Sequence, residues 1–252
     1  MTDSHTSLVR LKRRLERLEK PRRTGAGPFA LGAALDARLG GGLARGALHE
    51  LCAAQEGDQS AVSSFALMLA VQASGVEKPI LWVREDKGER MHGALYGPGI
   101  VELGVDPDQI ILVSAPDTLA ALRVAADITG VMGLGAVVIE PFGAAKALDL
   151  TASRRLVLAA EKSGIAAFVL RDIGAAMASA AATRWTVAAA PSAALPGNAP
   201  GHCTLALALV RHRGGVPPFD MILEWNRDEQ AFAEPSLSGV ILPDVERRQM
   251  AA

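Results

Sequence analysis

The stretch "LCAAQEGDQSAVSSF", residues 51–65, lies between an apolar run and a helical pattern. In nucleotide-binding proteins a glycine-rich loop ending in Gly-Lys-Ser/Thr occupies that place, and its backbone N–H groups and lysine hold phosphate. Here the stretch holds one glycine, Gly57, flanked by Glu56 and Asp58, and no lysine. Other chemistry-bearing residues are scattered. The histidines His5, His49, His92, His202 and His212 show no H-x-x-x-H spacing. Cys52 and Cys203 form no C-x-x-C pair, so no metal site is expected, and both read as buried, reduced thiols in apolar contexts. No G-x-S-x-G elbow marks a serine nucleophile. "LGGGLARG" at residues 39–46 lacks G-x-G-x-x-G spacing and precedes a strand, so it reads as a tight loop.

The elements that must carry these residues alternate from residue 31 onward. "ALHELCA" reads as a strand and 62–73 as a helix, with Phe65, Leu69 and Ala73 on one side. "PILWV", "QIILVSA", "LGAVVIEPF" and "IAAFVLR" read as further strands; the third is a continuous apolar run of the kind buried on both faces of a parallel sheet. Helices are expected from Asp117 and over 151–163, and "GAAMASAAATR" reads as a short helix. The later segments "RWTVAA", "CTLALALVRHR" and "FDMILEW" lack intervening helices, which predicts antiparallel strands extending a parallel core. The fold class is therefore α/β.

Composition sets the limits. Of 252 residues 50% are hydrophobic, enough to bury a sizeable core, and prolines and glycines break the longest uncharged run, so no membrane span is expected. The N-terminus is polar and basic, without an apolar signal-peptide core, and a cytoplasmic location follows as an expectation. Residues 1–23 carry eight Lys/Arg against three acids, a balance of +5 on a body of −6. Within them Leu8, Leu11, Leu15 and Leu18 fall at steps of three and four, lining one face of a predicted basic helix that includes Arg14. At about 15 residues such a helix is marginal alone and needs a surface to pack against. It covers its own domain or meets a partner. Residues 24–30 read as a linker, 31–226 as the core, and 227–252 as a tail whose apolar run is Val240, Ile241 and Leu242. That tail is either solvated or a partner-binding segment that orders on contact.

In order along the chain, "LDARLGGGLARGALHEL", "PILWVRED", "LGVDPDQIILVSAPDTLAALRVAADI", "GAVVIEPFGA", "SGIAAFVLRDIG" and "LALVRHRGGVPPFDMILEW" resemble the ATPase core of the RecA recombinase family. Within it they are similar to the ImuA family, small RecA-like members of bacterial mutagenesis cassettes. The resemblance covers most of residues 31–226 and implies a RecA-like core.

The register sets residues 53–60, from Ala53 to Ser60, at the phosphate loop. Gln59 stands at the lysine, Ser60 at the metal-holding hydroxyl, and Asp58 at the preceding glycine. Glu85 falls at the family's catalytic glutamate and Glu140 at the end of its Walker B strand. A charge-assisted hydrogen bond of roughly 1.5–3 kcal/mol is thereby lost. Glu56 and Asp58 are expected to face the triphosphate position. One like-charge contact at about 4 Å costs on the order of 4 kcal/mol at an effective dielectric of 20. The expectation is a catalytically silent chain with no cofactor, in which Glu85 and Glu140 are remnants. The loop after "IAAFVLR" is short and nearly uncharged, so nucleic-acid binding is expected to be weak at most, carried by the basic arm.

What the resemblance implies about function is an adaptor in SOS-induced translesion synthesis, nucleoid-associated when DNA is damaged. Its implied partners are RecA, an ImuB-type Y-family-like protein and a DnaE-type error-prone polymerase. The contacts are expected on Leu8, Leu11, Arg14, Leu15 and Leu18, on Val240, Ile241 and Leu242, or on both. The alternatives are a divergent RecA-family ATPase and a SulA-like cell-division inhibitor.

Overall fold

The computed structural model describes residues 27–129, 133–172, 178–195, 197 and 199–235. The leucines at 8, 11, 15 and 18, Arg14, and the apolar run at 240–242 lie outside them. The elements are α1 (Ala33–Leu39), β1 (Leu48–Ala53), α2 (Gln59–Ser74), β2 (Ile80–Glu85), α3 (Asp86–His92), α4 (Gly97–Glu102), β3 (Ile110–Ala115), α5 (Thr118–Thr129) and β4 (Ala136–Glu140). They continue as α6 (Leu150–Ser163), β5 (Ala166–Arg171), β6 (Thr183–Ala189), β7 (Thr204–His212), β8 (Phe219–Asn226) and β9 (Ala231–Ala233).

Among the described residues nine strands form one sheet in the order β3-β2-β4-β5-β1-β6-β7-β8-β9. From β3 to β6 every pairing is parallel; from β6 to β9 every pairing is antiparallel. The α/β class, the parallel core and the antiparallel extension are those expected from the alternation of apolar runs. The central strands β1, β2, β4 and β5 are buried almost throughout, which is why they read as continuous apolar runs. β6 alternates buried and half-buried residues, as a strand covered on one face does.

Helix α2 is apolar around most of its circumference and lies in the core, packing Phe65 against Trp185 and Phe232. α5 and α6 cover the other face of β1 to β5 with a second cluster around Leu122, Leu156 and Val169. Asp117 starts α5 by accepting from the Ala120 N–H at 2.7 Å, and Asp149 starts α6 by accepting from the Ala152 N–H at 2.7 Å. The glycines of "LGGGLARG" do form a tight loop: Gly40 (φ 74°) ends α1 in the left-handed region, and Gly42 (φ 95°) lies where a Cβ would strike the Phe29 carbonyl.

Three features differ from the sequence reading. The core starts earlier and ends later than residues 31–226: Phe29 is buried and bridged to Leu43, and β9, within the segment read as tail, buries Phe232 beside Trp225. An isolated aromatic in a polar stretch is a weak signal until a neighbour covers it. Helices α3 and α4 were not expected; their order of Asp86 and Glu89 early and Arg90 and His92 late in α3, and Pro98 in the first turn of α4, were the available marks. Of the short helix read in "GAAMASAAATR", residues 178–182 are irregular and Thr183 and Arg184 already belong to β6. Residues 173–177 fall outside the described set.

Candidate functional site

The β1–α2 junction places the loop at the ends of the parallel strands, where α/β sheets bind ligands. Ala53 ends β1, buried, and the Ala54 N–H donates to the Val187 carbonyl at 2.9 Å, tying the loop to β6. Glu56 is exposed and Gly57 turns the chain at φ 98°. Asp58 does not face the phosphate position. Its carboxylate is 5% exposed, and Oδ1 accepts from the Ala189 N–H at 3.1 Å. A backbone donor on the neighbouring strand draws Asp58 inward, and Glu56 is the loop's exposed carboxylate. Gln59 opens α2, and its amide Nε2 donates to the Asp172 carboxylate just beyond β5. The side chain in the lysine's position is thus spent on the protein's own acid. Ser60 is exposed.

The two remnant acids stand at the ends of adjacent strands, and both are engaged. Glu85, 8% exposed, accepts from Thr118 Oγ1 at 2.7 Å and from the Phe142 N–H at 3.2 Å through Oε2. Glu140 is clamped by Arg84, whose Nε lies 2.9 Å from Oε2 and whose Nη2 donates to Oε1 at 3.1 Å; Trp82 Nε1 also donates to Oε2 at 2.8 Å. Both carboxylate oxygens that a metal would need already serve a guanidinium. Gln59, Ser60, Arg84 and Glu140 meet on the wall of one cavity of about 330 Å³, beside Trp82 and Tyr96. Glu56, Asp58 and Glu85 are not on that wall.

A second cluster was missed from sequence. Glu50, on the central strand β1, is fully buried, and Arg171 Nε and Arg184 Nε each donate to it at 2.8 Å. Arg211 Nη2 lies 3.6 Å from the same carboxylate. Arg171 also donates to the Leu148 carbonyl at 3.1 Å. Arg211 and Arg213 both reach the Ser179 carbonyl, pinning residues 178–182 to the sheet. Burial, and then the neighbouring Arg184, lower the Arg211 pKa. Beside Glu50 on the opposite face of β1, His49 is also fully buried. It is bonded to Thr183 Oγ1 at 2.8 Å and the Ala44 carbonyl at 3.0 Å, and stacked on Phe168. Burial pushes its pKa down to about 4. The available signal was "HE" inside "ALHELCA": two polar residues in a strand buried on both faces require partners.

Cys52 and Cys203 are free and half-buried rather than fully buried. Burial, then the Glu50 charge, raises the Cys52 thiol pKa. Among the described residues no helix is long and apolar enough to cross a membrane.

No family model matches the chain. Protein ImuA of Caulobacter vibrioides, in both strain NA1000 / CB15N and strain ATCC 19089 / CIP 103742 / CB 15, is 32% identical to it over 192 residues. That alignment spans 71% of this chain and 75% of the relative. The chain belongs to the ImuA family. The crystal structure of the RadB recombinase superposes on this ImuA-family chain with a TM-score of 0.55 at 16% identity, covering 81% of this chain and 98% of that one. At that identity the likeness establishes the fold, which is the RecA-like α/β core expected from sequence. In this ImuA-family chain the β1–α2 loop and the acids at the ends of β2 and β4 are held by the protein's own backbone and side-chain groups.

Proposed function

We propose that this ImuA-family chain is a RecA-fold adaptor in SOS-induced translesion synthesis that works by protein contact and not by nucleotide hydrolysis. One observation carries the reading: at the loop's two decisive positions, Asp58 accepts from the Ala189 N–H and Gln59 donates to the Asp172 carboxylate. Binding a triphosphate there means breaking both, with no lysine to compensate, and the expected Glu140 metal ligand is held by Arg84. Its partners are RecA, an ImuB-type Y-family-like protein and a DnaE-type error-prone polymerase. The leucine face of residues 8–18 is the contact that the amphipathic spacing supports.

Co-purification of the full chain with these three proteins, with and without DNA, tests the role. Leu11→Asp together with Leu15→Asp is expected to reduce retention of at least one partner by tenfold or more; unchanged retention of all three removes the helix from the account. Nucleotide supplies the complementary measurement. Millimolar Mg-ATP is expected to leave the thermal midpoint unchanged within about 1 °C, since a ligand stabilises only in proportion to its occupancy. ATP hydrolysis above background that Glu85→Gln abolishes would establish a divergent ATPase instead.

A further inference from the structure

The segment that forms α3 and α4 exposes three large apolar side chains, Met91, Tyr96 and Val101, at 66%, 72% and 58%. The same segment walls the cavity of about 330 Å³ beside β2, and exposed apolar clusters of this kind mark interaction sites. The floor of that cavity is apolar: Leu67, Trp82 and Ile100 belong to the first core cluster, and Leu103 packs against it. On its α2 side Ser60, Ser63 and Ser64 fall at helical steps of three and four, and their small side chains leave the space open. A second hollow of about 340 Å³ adjoins through Ala94, which lines both; its other walls are Asp86, Glu89 and Arg90. The intervening backbone is fastened in place. Arg84 Nη1 donates to the Gly93 carbonyl at 3.0 Å, Trp225 Nε1 to the Leu103 carbonyl at 2.8 Å, and Gln230 Nε2 to the Gly104 carbonyl at 2.7 Å. A groove held in this way costs little ordering when it is filled.

We infer that the two hollows together hold a short linear segment of a partner protein, with a large apolar or aromatic side chain in the first and a lysine or arginine over the second. The apolar floor selects the anchor, because a side chain that fills a dry pocket carries most of the energy of a peptide contact. Charge selects its neighbour. Arg84 and Glu140 neutralise each other, which leaves Asp86, Glu89 and Glu102 against Arg90 around the two hollows. Asp86 accepts from Ser114 Oγ, an uncharged partner, and among the described residues neither Glu89 nor Glu102 forms an ion pair. The surplus is negative, so it draws a cationic side chain and repels an anion. The hydroxyls of Ser60, Ser63 and Ser64 donate and accept, as the peptide groups of an extended segment require. The inference rests on the adaptor reading for the source of that segment, one of the three proposed partners; the groove itself is a property of this chain.

The probe is a phage library of random peptides panned on the full chain. Enriched peptides are expected to pair an aromatic or large aliphatic residue with a lysine or arginine a few positions away. Fluorescence anisotropy then compares variants. Ser64→Phe, which fills the cavity, is expected to weaken these peptides by about tenfold or more. Glu89→Lys with Glu102→Lys is expected to weaken them by about fivefold and to remove most of the salt dependence. The charge reversal lies on the surface and keeps the natural thermal midpoint, so it decides the matter even where Ser64→Phe fails to fold. Overlapping peptides covering RecA, the ImuB-type protein and the DnaE-type polymerase form the second arm, and at least one is expected to displace the library peptide. Library binding that no partner peptide displaces would overturn the assigned source, and the adaptor reading with it, while the groove stands. An absence of enriched peptides, or affinity unchanged by the charge reversal or by a folded Ser64→Phe variant, would overturn the groove.

Discussion

Glu50→Gln is expected to destabilise the protein by about 3–5 kcal/mol, visible as a lower urea midpoint or as loss of soluble protein. The substitution preserves shape and removes only charge. It leaves Arg171 (side chain 1% exposed) and Arg184 (18% exposed) without the carboxylate to which each donates at 2.8 Å. Arg171 keeps the Leu148 carbonyl and Arg211 the carbonyls of Ser179 and Ala181, which accept hydrogen bonds but carry no charge to replace that of Glu50. Arg211→Ala provides the contrast. That side chain is 34% exposed and 3.6 Å from Glu50, so its ion pair contributes about 1 kcal/mol or less. Losses of equal size in the two variants would show that the cluster acts through packing and not through its central charge. Because Arg211 also holds residues 178–182, its variant should increase local hydrogen exchange there more than global unfolding.

His49 is expected to make the protein acid-sensitive. Its folded pKa of about 4 lies below the ordinary 6.5. Between those values the unfolded chain binds a proton that the folded chain refuses, so this contribution is complete above pH 6.5 and is lost as pH falls toward 4. The loss reaches about 2 kcal/mol at pH 5 and about 3 kcal/mol near pH 4, at 1.36 kcal/mol per pKa unit. Gln at position 49 keeps an amide donor for the Ala44 carbonyl and an acceptor for Thr183 Oγ1 but does not titrate in this range. Urea unfolding at pH 7 and pH 5 should therefore show a smaller pH-dependent loss in His49→Gln than in the natural chain. Parallel losses in both proteins would place the acid sensitivity in other groups, such as the surface carboxylates.

His49 and Glu50 are neighbours on β1 whose partners Thr183, Arg171 and Arg184 lie more than a hundred residues further along the chain. Strand and helix order was legible because buried parallel strands have to be continuous apolar runs: "GAVVIEPF", "IAAFVLR" and "ALHELCA" each became a central strand. The missing lysine and glycines of residues 53–60 were equally legible, since residue type alone removes the phosphate-binding charge and backbone freedom. Sequence by itself therefore determined the RecA-like α/β core and the altered loop. It did not determine where the altered side chains go. Asp58 turns to Ala189 rather than outward, Gln59 meets an acid 113 positions away, and Glu140 pairs with Arg84. Each choice depends on which strand end lies within about 3 Å, a property of sheet order and register and not of local spacing. Only the tertiary structure brought Arg171, Arg184 and Arg211 onto Glu50, because strands far apart in the chain become neighbours when β1 pairs between β5 and β6.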